Sequence, residues 1–245
     1  ATKLAAFAAM VRFLYTAASG LQSYLLPALT VIIILTMLVG TVVGLVQSDI
    51  KRLLAYSSVA HAGFILIGVL SWQSLGVSSV LFYLFAYGLA TVGAFALVTL
   101  VREHDEHGTV TGEATSLDRW KGIGRRRPMV GVAMTVFLLS FAGIPLTAGF
   151  EGKFAVFSAG LSTGEPVLVV LVVLAVLASA ATAFFYFRII VLMFFDEPTE
   201  QSAVAVSSEG LTTVAVVLCV VGTIALGVFP GPVLGLLESA AVFLP

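Results

Sequence analysis

Residues 129–161 form an apolar run that is interrupted once, at Gly143-Ile144-Pro145-Leu146-Thr147-Ala148-Gly149. As one continuous helix this run would extend about 50 Å, well beyond a hydrocarbon core of roughly 30 Å. Pro145 has no backbone donor and its ring clashes with the preceding helical turn, so we expect the helix to break within 143–149. A broken helix is tolerated at membrane depth only where protein or a water-filled cavity satisfies the freed backbone groups.

Two ionisable residues, Glu151 and Lys153, follow this break directly. Ionisable side chains are costly inside a bilayer, and by default they indicate a functional site there. A helix break followed by such residues therefore predicts a path for ion translocation through a membrane.

The composition defines the broad class of the protein. Hydrophobic residues make up 60% of the chain and charged residues only 10%, against about 25% charged residues in soluble domains. The sequence lacks a phosphate-binding glycine motif, and its single cysteine, Cys219, has no companion for a disulfide or a metal cluster. We expect an all-α polytopic transmembrane bundle that carries no redox cofactor, nucleotide or metal and binds no nucleic acid.

The apolar segments predict one membrane domain, 1–245, with seven spans. These lie at approximately 1–18, 25–46, 51–70, 78–101, 129–160 (the broken span), 166–195 and 211–229. A last apolar segment, 231–244, is short for a span and is interpreted as an interfacial or packing helix. Because the chain begins in an apolar stretch without an initiator methionine, we expect it to be the C-terminal part of a longer protein.

Basic residues occur in every second loop, which predicts the orientation of the bundle. The turn at 47–52 and the long loop at 102–128 contain lysines and arginines, whereas the loops at 19–24, 71–77 and 161–166 contain none. Basic loops are typical of the cytoplasmic side, so the first span is expected to start there.

Three ionisable residues within spans are candidates for proton transfer, and each has a plainer interpretation. Lys3 could be an anchor whose ammonium reaches the cytoplasmic surface. His61 could be a neutral buried histidine with satisfied hydrogen bonds, although its ordinary pKa of about 6.5 suits proton exchange near neutral pH. Lys153 could be paired structurally with Glu151, or it could alternate between charged and neutral states as a proton carrier.

Other polar residues near these candidates are possible modulators. Ser57 and Ser58 precede His61 by one turn and could hold water or hydrogen-bond back to their own helix. Lys51 lies at the start of the same span. Glu151 is two residues from Lys153, which places the two side chains on different faces of a regular helix.

Several segments, taken in order, resemble one family of membrane proteins. They are Ala1-Thr2-Lys3-Leu4-Ala5-Ala6-Phe7, Asp49-Ile50-Lys51-Arg52-Leu53-Leu54-Ala55-Tyr56-Ser57-Ser58 with His61 and Gly63, Phe82-Tyr83-Leu84-Phe85-Ala86-Tyr87, Gly93-Ala94-Phe95, Leu139-Ser140-Phe141-Ala142-Gly143-Ile144-Pro145-Leu146-Thr147-Ala148-Gly149-Phe150 with Gly152-Lys153-Phe154, and Phe185-Tyr186-Phe187-Arg188. The family is that of the antiporter-like membrane subunits shared by respiratory complex I and Mrp-type cation/proton antiporters.

The resemblance implies an architecture and a role. Members have about fourteen helices with two inverted five-helix repeats, each containing a broken helix. This chain resembles helices eight to fourteen, with the complete second repeat. Lys3 resembles the lysine that connects the two half-channels, Lys153 resembles the lysine of the second half-channel, and His61 lies on the polar helix between them. The first half-channel is not in this sequence, and Glu151 stands where relatives usually have an apolar residue.

The resemblance also implies a setting for the chain. In a bacterial complex I it would translocate protons in the inner membrane, while flavin, iron–sulfur clusters and quinone reside in partner subunits. Its partners would be the lipid bilayer, the antiporter-like subunit M and small membrane subunits. The alternatives are a subunit of an Mrp-type Na⁺/H⁺ antiporter and a truncated scaffold without transport.

Overall fold

The computed structural model describes residues 2–104, 109–198, 202–205 and 210–241. Its α-helices are α1 (Thr2–Arg12), α2 (Gln22–Leu45), α3 (Ile50–Val69), α4 (Ser74–Leu100), α5 (Ile123–Arg126), α6 (Pro128–Ala142), α7 (Ala148–Ser162), α8 (Pro166–Phe194), α9 (Leu211–Val228) and α10 (Gly231–Ala241). A π-helix at Phe13–Ala17 and 3₁₀ turns at Ser19–Leu21 and Leu117–Trp120 join some of them. The described residues also include three short strands: β1 (Val101–His104), β2 (Val110–Glu113) and β3 (Val204–Ala205).

The described residues contain five helical segments that are long and apolar enough to cross a membrane. They are α2 with its preceding 3₁₀ turn, α3, α4, α8 and α9. The region 129–160 instead consists of two half-length helices, α6 and α7, separated by an irregular segment at 143–147. The all-α transmembrane fold with a broken helix is therefore confirmed, and the protein crosses the membrane several times.

Close packing in this bundle depends on glycines at helix contacts. A Cβ at Gly40 of α2 would lie 2.4 Å from the backbone nitrogen of Ala60 in α3. One at Gly63 of α3 would lie 2.5 Å from the side chain of Met37 in α2. Membrane helices gain little from the hydrophobic effect when they associate, so small residues that allow backbones to approach provide the packing.

A small cap lies at one end of the bundle, and the sequence patterns missed it. The strands form an antiparallel sheet in the order β2-β1-β3, so the segments at 101–104, 110–113 and 204–205 meet. The backbone of Ile50 donates to Thr115 O at 2.7 Å, which joins the turn before α3 to the same cap. Trp120 is completely buried beneath the cap, and its indole nitrogen donates to Ala114 O at 2.8 Å.

The opposite end of the bundle has its own contacts. The rings of Tyr15 and Trp72 stack with centroids 5.4 Å apart. The hydroxyl of Ser162 donates to Gln73 Oε1 at 3.1 Å. Segments that alternate along the chain therefore gather at opposite ends, as the alternation of basic and uncharged loops requires.

The contact between α2 and α3 generates a stability prediction. Gly40→Ala places a methyl group against the backbone of Ala60, and relief of such overpacking costs about 1–3 kcal/mol. Gly235→Ala in α10 is the matched control, since a Cβ there has no atom within 4 Å. We expect thermal denaturation of the full-length protein in detergent to show a lower Tm for Gly40→Ala only. Equal midpoints for both variants would contradict this close approach.

Candidate functional site

The break between α6 and α7 begins with a defined helix-ending motif. Gly143 adopts the left-handed conformation with φ of 81°, which glycine reaches without the penalty of a side chain. Its backbone N–H donates to Ser140 O at 3.1 Å, and that of Ile144 donates to Leu139 O at 3.0 Å. This pair of hydrogen bonds is the Schellman motif that ends many helices at a glycine. Leu146 also has a positive φ, 72°, so the segment leaves helical geometry at two points.

Lys153 of α7 binds the end of α6. Its ammonium nitrogen donates to Phe141 O at 2.8 Å, to Ala142 O at 2.9 Å and to the hydroxyl of Ser179 in α8 at 2.7 Å. The Phe141 carbonyl is available because Pro145, four residues later, has no N–H to offer it. Three donors thus meet three acceptors, and the positive charge lies at the negative end of the α6 dipole. Lys153 is buried in the bundle and does not face lipid.

Two glycines make room for this arrangement. A Cβ at Gly143 would lie 2.9 Å from Cδ of Lys153, so a larger residue would intrude on the lysine. A Cβ at Gly149 would lie 1.8 Å from Ser140 O, so α6 and α7 meet closely there. The break predicted within 143–149 occupies 143–147, because α7 already begins at Ala148. Gly149 is helical, and its small size is required by the close approach of the two half-helices.

His61 of α3 is completely buried among tyrosines. Its Nδ1 lies 2.8 Å from the hydroxyl of Tyr83 and its Nε2 lies 3.2 Å from that of Tyr186. The hydroxyl of Tyr186 also hydrogen-bonds the side chain of Ser57. The imidazole stacks on the ring of Tyr87 with centroids 4.5 Å apart. Each of these hydroxyls can both donate and accept, so the group can hold a histidine proton on either nitrogen.

Lys3 of α1 points into the bundle. Its ammonium donates to Ser58 O at 2.5 Å and to Ser58 Oγ at 2.6 Å, and it lies 5.1 Å from the centroid of the Tyr87 ring. The interpretation of Lys3 as an anchor that reaches the membrane surface does not fit these interior contacts. Since Tyr87 touches both Lys3 and His61, its ring joins the two groups.

Two phenylalanines separate His61 from Lys153. The centroid of Phe64 lies 5.5 Å from that of His61 and 5.4 Å from the Lys153 ammonium. The ring of Phe141 lies 6.0 Å from that of His61, while its carbonyl accepts from Lys153. Proton transfer between the two groups therefore requires either a water molecule or movement of an aromatic ring.

The lysine–histidine cluster consists of Lys3, His61, Lys153 and the tyrosines around His61. Two of the possible modulators, Lys51 and Glu151, make no hydrogen bond or ion pair to this cluster in the described residues. Lys51 forms an ion pair with Glu113 of β2, so it joins α3 to the cap at the end of the bundle. Glu151 is partly exposed, and in the part of the chain that the structure describes no ion pair connects it to Lys153. Among the same residues, no group of three or more histidine, cysteine, aspartate or glutamate side chains could hold a metal ion.

Several members of the cluster were not predicted from the sequence. They are the tyrosines that surround His61, and Ser179, the hydroxyl acceptor for Lys153. Tyr83 and Tyr87 are four residues apart on α4 and therefore share one helix face, which is a signal that could have found them. Tyr186 and Ser179 lie far away in the chain, so only the packing of α8 brings them near.

The fold and the cluster define a class of protein: a helical membrane bundle with a broken helix that presents a buried lysine. A family model described as "NADH:quinone oxidoreductase/Mrp antiporter, TM" matches residues 1–179. The chain belongs to this family.

Relatives extend the comparison over nearly the whole chain. The sequence is 56% identical, over 243 residues, to NADH-quinone oxidoreductase subunit N of Beutenbergia cavernae. The match covers 99% of this chain and 46% of that protein, so the chain spans a little under half the length of this relative. The resemblance of the segments quoted above to the membrane subunits of respiratory complex I is confirmed by this relative.

Two solved structures share the fold. A chain of respiratory complex I from Thermus thermophilus with bound aureothin has a TM-score of 0.72 and 33% sequence identity, covering 85% of this chain and 45% of that one. A chain of the Mrp complex from Dietzia sp. DQ12-45-1b has a TM-score of 0.79 and 24% identity, covering 96% and 50% respectively. At that identity the second comparison shows the fold alone.

The hydrogen bonds around His61 generate a prediction. Tyr83→Phe removes one hydroxyl and leaves a buried ring nitrogen without its partner, which costs about 1–3 kcal/mol. Tyr24→Phe is the control, since Tyr24 is 79% exposed. We expect the free energy of unfolding of the full-length protein to fall for Tyr83→Phe and to stay unchanged for Tyr24→Phe. An unchanged Tyr83→Phe protein would mean that this hydroxyl does not satisfy His61.

Proposed function

We propose that this chain forms a proton-translocating part of a membrane subunit of NADH:quinone oxidoreductase. The observation that carries the proposal is the environment of Lys153, a buried ammonium held by three neutral acceptors. Among the described residues no carboxylate pairs with it. A lysine fixed by a buried acid is held in its charged form, whereas a lysine held by carbonyls and a hydroxyl is free to change its protonation state.

The same acceptors accommodate both forms of Lys153. As an ammonium it donates three hydrogen bonds, to Phe141 O, Ala142 O and Ser179 Oγ. As a neutral amine it retains two donors and gains a lone pair, toward which the Ser179 hydroxyl can turn as a donor. Loss of the proton therefore leaves the position of Lys153 intact and ready to be protonated again.

His61 and its tyrosines are suited to pass a proton onward. Neutral imidazole carries a proton on one nitrogen and accepts on the other, so taking a proton at one side and releasing it at the other reverses its tautomer. The hydroxyls of Tyr83 and Tyr186 lie at the two nitrogens and can rotate to match either tautomer. Lys3, His61 and Lys153 form a row, with His61 in the middle. Lys3 lies at one end, where it contacts Ser58 and the Tyr87 ring that stacks on His61.

The lysines and the histidine influence one another electrostatically. The positive charges of Lys153 and Lys3 both act on His61. Each positive charge disfavours a further proton on the groups near it. A change of charge at one end of the row Lys3–His61–Lys153 therefore changes the proton affinity of the other groups. Redox energy released elsewhere would drive proton release here through this electrostatic interaction.

Within such an enzyme the chain would contact other membrane subunits and lipid. Its partners would be other membrane subunits of the complex, in particular the antiporter-like subunit M and small membrane subunits, together with the lipid of a bacterial inner membrane. Flavin, iron–sulfur clusters and quinone would be held by partner subunits. This chain would contribute proton-transfer groups to an enzyme whose redox chemistry takes place elsewhere.

An Mrp-type Na⁺/H⁺ antiporter subunit is the second candidate, because the fold is shared with a chain of an Mrp complex. The relative that is 56% identical carries the name of an NADH-quinone oxidoreductase subunit, which favours the first candidate. Partners that copurify with the native full-length protein distinguish the two. Flavin and iron–sulfur subunits support the oxidoreductase, and small antiporter subunits support the alternative.

The test of the proposal compares lysine variants in the full-length protein. Lys153→Ala removes the carrier, and Lys153→Arg keeps a charge that does not leave at physiological pH. We expect both to lower NADH-driven proton pumping in membrane vesicles on the order of tenfold or more while the complex still assembles. Lys3→Arg is expected to lower pumping in the same way. Lys121→Ala, which removes a lysine paired with Asp118 outside the bundle, is the control and should pump normally.

Each outcome of this comparison has a definite meaning. Normal pumping by assembled Lys153→Arg would show that Lys153 need not lose its proton and would overturn the proposal. Normal pumping by Lys3→Arg would remove Lys3 from the pathway. If every variant assembled and pumped like the unmodified protein, this part of the subunit would act as a scaffold.

A further inference from the structure

A groove lies on the outside of the bundle, remote from the lysine–histidine cluster. It runs between α4, α6 and α9, and its volume of about 640 Å³ falls within the range of roughly 300–1,000 Å³ typical of ligand pockets. Its wall is apolar over most of its length, with Leu97, Leu100, Val130, Ala133, Val216 and Val220 among the lining residues. Along α9 it extends from Thr213 to Val221, which corresponds to about 12 Å of helix.

Two arginines, Arg126 and Arg127, stand at the mouth of this groove. Both are exposed, and in the part of the chain that the structure describes neither has an ion-pair partner. The preceding residue, Arg125, differs because its guanidinium donates to the carbonyls of Phe194 and Phe195. Arg125 therefore fixes the position of the basic segment, while the next two guanidinium groups remain available to a ligand.

Helix ends of both signs lie at the mouth. α6 begins at Pro128 and α9 begins at Leu211 on the side where Arg126 and Arg127 lie, and α4 ends at Leu100 on the same side. The two N-termini carry partial positive charge and the C-terminus of α4 carries partial negative charge, so the net positive charge of the mouth comes from the arginines. The groove thus combines an anion-attracting mouth with an apolar body that continues into the depth of the membrane.

We propose that this groove binds an anionic phospholipid, with the headgroup phosphate at Arg126 and Arg127 and an acyl chain between α6 and α9. The two positive charges at the mouth favour an anionic lipid over an uncharged apolar ligand. A neighbouring transmembrane helix would fill the apolar body but would leave two guanidinium groups without anions. Basic pockets between membrane helices on the cytoplasmic side have the chemistry that binds anionic lipid headgroups.

The shape of the site separates a lipid from a soluble anion. Free phosphate would meet the arginines only, and it would gain nothing from the apolar wall formed by residues such as Ala133 and Val216. A phospholipid uses both parts of the groove. Its affinity should therefore depend on the arginines and on the empty space beside Ala133 independently.

The test measures lipid retention by the purified full-length protein. The protein in neutral detergent is titrated with phosphatidylglycerol or with phosphatidylcholine of the same acyl chains, and retained lipid is counted by native mass spectrometry. We expect phosphatidylglycerol to be retained at about ten- to thirtyfold lower concentration, since each arginine near a lipid surface adds to anion affinity. Arg126→Gln with Arg127→Gln should abolish this preference, and the corresponding double lysine variant should keep most of it.

Two further variants act as controls. Arg52→Gln removes an exposed arginine at the start of α3, away from the groove, and should bind phosphatidylglycerol like the unmodified protein. Ala133→Phe fills the apolar body while leaving both arginines in place, and it should weaken retention of both lipids. Removing arginines beside a span can alter the orientation in which a membrane protein inserts. Ala133→Phe keeps both arginines, so a loss of lipid retention in this variant does not arise from altered insertion.

Three results would overturn the proposal. Equal retention of phosphatidylglycerol and phosphatidylcholine by the unmodified protein would show that the arginines select no anion. Equal loss of preference in Arg52→Gln would show a general effect of surface charge. Unchanged retention in Ala133→Phe would show that any lipid bound at the arginines lies outside the groove.

Discussion

The rest of this structure depends on the bond between the Lys153 ammonium and the carbonyls at the end of α6. Those carbonyls are available because Gly143 ends the helix and Pro145 supplies no N–H. Helix α9 packs closely against the break, since a Cβ at Gly227 would lie 2.4 Å from the backbone of Thr147. Without the break the lysine would have no backbone acceptors, and without the lysine the α6 carbonyls would lose their donor at membrane depth.

This arrangement explains how a buried charge is tolerated without being fixed. An ammonium inside a bundle normally requires a counter-ion or a full set of hydrogen bonds. Here the hydrogen bonds come from neutral groups: backbone carbonyls, which accept from either form of the lysine, and the Ser179 hydroxyl, which accepts from the ammonium and can donate to the amine. His61 is held in the same way by tyrosine hydroxyls, and the rings of Phe64 and Phe141 keep the two groups apart. The result is two proton sites that interact through their charges and exchange protons only when a connection forms.

Local sequence rules were sufficient to predict the break, because proline and glycine act on the backbone wherever they occur. The burial of Lys153 was predictable for a similar reason, since the residues around it are apolar. The Tyr186 partner of His61 was not predictable, because it is 125 residues away and depends on how α8 packs. The sheet at the end of the bundle was missed because its strands are short and one pairing joins Val101 to Ala205, which lie far apart in the sequence. The helical state of Gly149 shows that a glycine near a break can serve packing instead of backbone freedom.

A proton-carrying Lys153 must be reached from water through the interior of the bundle, and cysteine accessibility tests this access most directly. Lys153→Cys and Phe154→Cys are compared in full-length protein in membranes, with other cysteines outside this chain replaced and Cys219, which is buried, retained as background. A small water-soluble cationic thiol reagent is applied, and modification is measured by mass. Lys153→Cys is expected to react, because its side chain points to the polar cluster. Phe154→Cys, at a position 61% exposed on the bundle surface, should stay unmodified in lipid. Modification of Phe154→Cys with an inert Lys153→Cys would contradict the account.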